Sequence, residues 1–148
     1  MAALAQISPT TISRHAAVEA IEAALRGAAD GGVPFTISVL DAGGHLVALV
    51  REDGAALASI ETSQAKARTA LYFAQPTADL QAAVQPGAPL FTIETSVTSQ
   101  LAFVGGGIPV VDANGTVIGA VGAGGASPQQ DHDIAATVVG KLQGSTAR

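Results

Sequence analysis

Apolar residues near the start of the chain recur every three or four positions. The members of this pattern are Ile12, Val18, Ile21 and Leu25. Such spacing places the side chains on one side of a helix, so the pattern predicts a first helix with one buried side. Ser8-Pro9 predicts where this helix begins, and Gly31-Gly32 predicts where it ends.

The spacing changes to every second position after this helix. Residues 35–39 alternate at period two, which predicts a strand. The turn-forming residues 41–44 follow, because Asp and Gly tolerate the backbone conformations of tight turns. Residues 45–51 then predict a second strand, so the two strands form a hairpin.

Helical features return in an alanine-rich stretch, residues 57–74, which predicts a long helix. This helix ends before Pro76, because a proline disfavours the helical conformation of the preceding residue. Thr77 is predicted to cap a short helix that continues to about Val84. Residues 90–100 fit no single pattern.

Three further strands are predicted in the last third of the chain. Residues 101–104 predict one, and the turn Asp112-Ala113-Asn114-Gly115 predicts a hairpin that supplies the other two. Residues 131–142 predict a closing helix. The order of helix, two strands, two helices, three strands and helix predicts an α+β domain, with a five-stranded antiparallel sheet flanked by helices.

Length and composition favour one domain over residues 1–148. The formal net charge of −5 argues against nucleic acid and anionic membranes as partners. The chain has no cysteine, no apolar run of the ~20 residues that span a membrane, and no signal-peptide pattern, so a cytoplasmic location is expected. Only 13% of the residues are charged, which predicts that apolar surface is buried between copies in a homo-oligomer.

A glycine-rich segment in the last third runs into a helix start. Glycine weakens strands and marks places where backbone or ligand comes close, and Ser127-Pro128 supplies a capping hydroxyl and a first-turn proline. The order and spacing of four motifs resemble those of the GlcG/HbpS family, which includes the PduO C-terminal-like domain. These motifs are residues 39–48, Lys66-Ala67-Arg68-Thr69-Ala70, Gly105-Gly106-Gly107-Ile108-Pro109 and Gln130-Asp131.

The resemblance covers about residues 8–143 and implies a profilin-like fold. It also implies a homo-oligomeric small-ligand-binding protein, with haem as the candidate cofactor. Two alternatives stay open: a cofactor-independent lyase, isomerase or hydrolase of a small carboxylate-containing metabolite, and a structural or regulatory partner of another catabolic protein. Some haem-degrading members carry a Glu-x-x-Glu iron motif. Here Glu61-Thr62-Ser63-Gln64 lacks the second carboxylate, so no metal site is predicted.

Histidines are the first candidates for a haem ligand, because imidazole is a common axial ligand of haem iron. The chain has His15, His45 and His132, and none forms a pair with metal-site spacing. We predict that His45 binds the cofactor, because the adjoining Gly43-Gly44 leaves room for a flat molecule. A structural or solvent-facing role is the alternative for each histidine.

Lys66 lies on the apolar side of the long predicted helix, where an ammonium group is costly unless it reaches an anion or water. It is predicted to bind a haem propionate or a substrate carboxylate. The alternatives are a snorkelling lysine and an exposed ion pair with Glu61. For the enzyme hypothesis, the predicted catalytic residues are Lys66, Glu94 and Asp131, although Asp131 also suits a helix cap.

Four glycines are also predicted to bind the cofactor: Gly106, Gly107, Gly124 and Gly125. The last two precede a helix start, where free backbone N–H groups attract anions. The alternative is that these glycines allow a strand and a neighbouring helix to pack closely. The outward-pointing donors of the helix start favour the ligand interpretation.

Overall fold

Four antiparallel strands form one sheet in the computed structural model of the chain, which describes residues 12–146 and the side chains of residues 12–144. The strands are β1 (Thr36–Asp41), β2 (Leu46–Arg51), β3 (Gly107–Val111) and β4 (Val117–Gly124). The helices are α1 (Arg14–Ala28), α2 (Ala58–Phe73), α3 (Thr77–Leu80) and α4 (Pro128–Thr146). Short 3-10 turns cover Ala29–Gly31, Gln81–Val84 and Ile93–Ser96. The strand order is β2-β1-β4-β3, and every neighbouring pair is antiparallel.

Both predicted hairpin turns are present, and each begins with an aspartate that organises the turn. Asp41 Oδ1 accepts hydrogen bonds from the backbone N–H groups of Gly43 and His45, both at 2.9 Å. Asp112 Oδ1 accepts equivalent bonds from Asn114 and Thr116, also at 2.9 Å. These side-chain bonds add to the main-chain turn bonds from Gly44 N–H to the Asp41 carbonyl and from Gly115 N–H to the Asp112 carbonyl, both at 3.0 Å, so the turns form from local chemistry.

The sheet is covered on both faces. Helix α2 packs on one face, and α1 and α4 pack on the other. Ile37 and Val39 belong to the larger hydrophobic core, which includes residues of α1 and α4, whereas Leu40 packs with alanines of α2 and β4. The α2 face also holds two hydroxyl pairs, which join β1 to α2. These pairs are Thr36 with Ser59 at 2.6 Å and Ser38 with Ser63 at 2.8 Å.

The predicted five-stranded sheet is wrong by one strand, because residues 101–104 are not a strand. Side chains of the helices bind the backbone of this segment in place of a neighbouring strand. Thr69 Oγ1 accepts from the Ala102 N–H at 2.8 Å, and Thr77 Oγ1 donates to the Val104 carbonyl at 2.7 Å. The segment therefore lies along α2 and α3, where Phe103 also makes an edge-to-face contact with Phe73.

Most predicted helix signals are correct, with shifts at the ends. Ser8-Pro9 lies outside the described residues, and the N-cap of α1 is Ser13, whose Oγ accepts from the Ala16 N–H at 3.0 Å. The α1 segment leaves helical geometry at Gly32, which has φ +68°. Thr77 does not cap α3, because its hydroxyl binds the 104–107 segment instead. Helix α4 begins at Pro128, three residues before the predicted 131–142 helix. No helix in the described part of the chain is both long and apolar enough to span a membrane.

Candidate functional site

Lys66 and Asp131 form a buried ion pair that joins α2 to α4. Lys66 Nζ lies 2.7 Å from Asp131 Oδ2, and the two side chains are only 6% and 3% exposed. The second carboxylate oxygen of Asp131 accepts from the Ala126 N–H at 3.0 Å. The anion that Lys66 meets is a side chain of the protein, and binding of a haem propionate or a substrate carboxylate by Lys66 stays a prediction. The alternatives of a snorkelling lysine and of an exposed pair with Glu61 are wrong, because the side chain is buried and binds Asp131.

The Gly105-Gly106-Gly107 loop closes over this ion pair. A Cβ atom on Gly106 would lie 2.9 Å from Lys66 Cδ and 3.0 Å from Asp131 Cβ, and Gly106 has φ +130°. A Cβ atom on Gly107 would collide with the Lys66 carbonyl oxygen. A side chain at either position would displace α2 or the ion pair. Only glycine allows the backbone to approach this closely, so the position of the loop over the ion pair depends on glycine at both positions.

The glycines of β4 allow the same close approach by α2. A Cβ atom on Gly122 would collide with the Ser63 carbonyl oxygen, and one on Gly124 would lie 2.9 Å from Thr62 Oγ1. Gly125, which follows β4, has φ +116°, and its Cβ position lies 2.7 Å from the carbonyl oxygen of Pro34, which precedes β1. Protein atoms therefore account for the close approach at these positions. Binding of a cofactor at Gly106, Gly107, Gly124 and Gly125 stays a prediction.

His45 lies at the surface in the β1–β2 turn, and a carboxylate lies beside its ring. The side chain is 83% exposed, and Nδ1 lies 3.4 Å from Asp41 Oδ1. This contact favours a proton on Nδ1 and leaves Nε2, at the outer end of the ring, without a partner from Asp41. A carboxylate on the other ring nitrogen is the usual second partner of a metal-bound histidine. Asp41 was not among the predicted site residues, although its position four residues before His45 was a signal.

The other two histidines have less suitable surroundings for an axial ligand. His15 is 82% exposed, but its Nε2 lies 3.4 Å from Glu19, so the carboxylate faces the outer nitrogen. His132, in α4, has a buried Nδ1 with no hydrogen-bond partner among the described residues. Neither ring therefore combines a carboxylate on Nδ1 with an open Nε2, which is the combination found at His45.

Glu94 lies apart from the Lys66–Asp131 pair. It is exposed, and it lines a surface groove of about 400 Å³ between α2 and residues 97–102. Glu61 lines the same groove, whereas neither Lys66 nor Asp131 does. The structure thus brings together two of the three predicted catalytic residues and leaves the third elsewhere. Within residues 12–146, no group of three or more His, Cys, Asp or Glu residues has the arrangement of a metal site.

These features define an α+β domain of the profilin-like type, in which a glycine loop closes over a buried lysine–aspartate pair. The chain belongs to the family of haem-degrading HbpS-like proteins, whose family model matches residues 12–139. This finding confirms the GlcG/HbpS resemblance of the four motifs. An uncharacterized 15.0 kDa protein from the dhaT-dhaS intergenic region of Citrobacter freundii is 38% identical over 129 residues, which is 87% of this chain and 90% of that protein.

Two solved structures share the fold over nearly the whole chain. The crystal structure of Klebsiella pneumoniae protein ORFY is 32% identical, covers 96% of this chain and 97% of that one, and has a TM-score of 0.84. The crystal structure of a PduOC:heme complex is 34% identical, covers 88% of this chain and 94% of that one, and has a TM-score of 0.80. The second similarity connects the fold with a haem ligand.

Proposed function

We propose that this chain is a haem-binding protein that works as a homo-oligomer. The observation that carries the proposal is the similarity to the PduOC:heme complex, which extends over 88% of this chain at 34% identity. The match to the HbpS-like family model over residues 12–139 supports the same function. The fold alone does not specify a ligand, so the residues that would contact haem carry the rest of the argument.

His45 fits the role of the haem ligand better than the other two histidines. Its ring is 83% exposed, and the Asp41 carboxylate lies 3.4 Å from Nδ1. Asp41 would favour the form of the ring with a free Nε2. The neighbouring Leu46 side chain is 50% exposed and offers apolar surface to a flat ligand. When bound, haem would supply a redox-active iron whose potential depends on its ligand and on the surrounding polarity.

Haem titration followed by the Soret band tests this assignment. Wild-type protein is expected to shift the Soret band of added haem, and His45→Ala is expected to weaken binding at least about tenfold. Asp41→Asn retains the turn-forming oxygen but removes the carboxylate, so an intermediate weakening is expected. His15→Ala and His132→Ala are matched controls that should bind like wild type.

Two results would contradict the proposal at different levels. Absence of any Soret shift with wild-type protein would refute haem binding. Wild-type affinity in His45→Ala, with loss of binding in either control, would refute the choice of ligand.

Self-association is proposed to use the exposed face of α2. Leu57, at the N-cap, is 74% exposed and Tyr72, in the last turn, is 50% exposed. They lie about four helical turns apart, and therefore on the same side of the helix. Large exposed apolar side chains on one face are typical of an interaction surface.

Light scattering after size exclusion should give a mass of at least two chains for the wild type at micromolar concentration. The double variant Leu57→Asp/Tyr72→Asp is expected to shift the protein towards monomer, because it places charges at the proposed contact. Ala136→Asp, at an exposed position of α4, is the control and should leave the mass unchanged. A monomeric wild type would refute the oligomer, and an unchanged double variant would refute the α2 surface.

A further inference from the structure

Helices α1 and α4 leave a groove between them, above residues 33–35. Its volume is about 450 Å³, which lies within the range of small-molecule sites. Val33, Phe35 and Ile134 contribute apolar surface, and the wall on the α1 side consists of alanines and glycines. Of the described residues that line it, none is a histidine, so the groove is separate from the proposed haem ligand.

Gly27 keeps the α1 wall of this groove flat. No atom beyond its own helix backbone and chain neighbours lies within 4 Å of the position that a Cβ on Gly27 would occupy. Gly140 in α4 is equally open, but of the two only Gly27 lines the groove. This position contrasts with Gly122 in β4, where helix α2 fills the space. The open space beside Gly27 is the groove.

Lys141 supplies a positive charge at the edge of the groove. Within the part of the chain that the structure describes, Lys141 makes no ion pair. The acidic residue that lines the groove, Asp133, keeps its negative charge when it accepts a hydrogen bond from Gln129 Nε2 at 2.8 Å. It lies two helical turns before Lys141 on α4, about 12 Å along the helix axis. The groove thus combines apolar surface with a cation at one end, which is complementary to an apolar molecule whose carboxylate lies at that end.

We propose that this α1/α4 groove binds an aromatic monocarboxylate. The ring lies against Val33 and the flat wall at Gly27, because a planar ring makes extensive contact with a wall that lacks a side chain. The carboxylate lies at Lys141, where a charge-assisted hydrogen bond forms. The apolar floor sets the affinity for the ring, and Lys141 selects the acid over neutral analogues.

Fluorescence titration with 2-naphthoate tests the site, and two glycine variants locate it. Gly27→Leu fills the groove and is expected to weaken binding at least tenfold. Gly140→Leu adds the same side chain to α4 at a position that is equally open but does not line the groove, and it should bind within twofold of wild type. Both variants place leucine at an exposed helical position, so both should fold.

A second comparison distinguishes the contribution of the Lys141 charge to ligand affinity from the contribution of apolar contact. Lys141→Met is expected to weaken 2-naphthoate binding about fivefold, while the neutral analogue 2-naphthalenemethanol binds the variant and the wild type equally. Binding of 2-naphthoate should persist in His45→Ala, which makes the test independent of haem.

The proposal is overturned if wild-type protein does not bind 2-naphthoate at millimolar concentration, or if the two leucine variants behave alike. Equal loss of both naphthalene ligands in Lys141→Met would overturn the role of the charge.

Discussion

Replacing Lys66 with methionine is expected to lower the free energy of unfolding by about 3–5 kcal/mol. The substitution keeps the length of the side chain but removes its charge, and so leaves the Asp131 carboxylate without its cation. That carboxylate is only 3% exposed, so water cannot replace the ammonium group. Chemical denaturation followed by circular dichroism measures the change, with the denaturant slope as a check that both states stay comparable.

A double-mutant cycle shows whether the effect belongs to the ion pair. Asp131→Asn retains the acceptor for the Ala126 N–H and removes the charge, and it should also be strongly destabilised. The double variant Lys66→Met/Asp131→Asn should be more stable than the sum of the two single changes predicts, by at least about 1 kcal/mol. Lys141→Met makes the same chemical change at an exposed lysine and should stay within about 0.5 kcal/mol of wild type. Additive, small effects of the single changes would contradict a buried, coupled pair.

Gly122→Ala is expected to lower the melting temperature by about 9 °C. The new methyl group would collide with the Ser63 carbonyl oxygen and would lie 2.7 Å from the Ala67 backbone nitrogen, so α2 would have to move away from β4. Overpacking of this kind costs about 3 kcal/mol, and one kcal/mol corresponds to about 3 °C in a chain of this size. Differential scanning calorimetry gives the value directly.

Gly27→Ala is the matched control, because it adds the same methyl group at a helical position with no neighbour within 4 Å. It should raise the melting temperature slightly, since alanine favours a helix by about 1 kcal/mol over glycine. Gly124→Ala should be intermediate, because its nearest neighbour is the Thr62 hydroxyl, a side-chain atom that can rotate. A Gly122→Ala protein that melts like wild type would show that α2 does not lie as close to β4 as the structure places it.

The local elements of the fold were predictable because their causes lie within a few residues. Each hairpin turn begins with an aspartate whose carboxylate binds the backbone two and four residues later. The long helix α2 was predicted over residues 57–74 and is Ala58–Phe73. Its alanine content and the proline after it are properties of the same short stretch of chain.

The predicted strand at residues 101–104 is wrong because the conformation of this segment depends on residues far away in the sequence. Its residues favour extended structure, but a strand also requires a partner that supplies backbone hydrogen bonds. Here the partners are hydroxyls of Thr69 and Thr77, which lie 33 and 27 positions away from the residues they bind. Two threonines on helices gave no sequence signal that they would bind this segment.

The candidate site also has features that the sequence predicted and features that only the tertiary structure determines. The sequence placed Lys66 on the apolar side of α2, where its ammonium group had to reach either an anion or water. Only the structure shows that the side chain is buried and therefore needs an anion. Which anion it meets was decided by tertiary structure, since Asp131 lies 65 positions away and reaches Lys66 only when α2 and α4 are in place. The glycine-rich β4 segment likewise predicted a close approach by backbone or ligand. Only the folded chain shows that helix α2 makes this approach at Gly122 and that open space remains beside Gly27. Local hydrogen bonding and helical periodicity act over a few residues, whereas ion pairing, close packing and the position of a groove depend on elements that meet only in the folded chain.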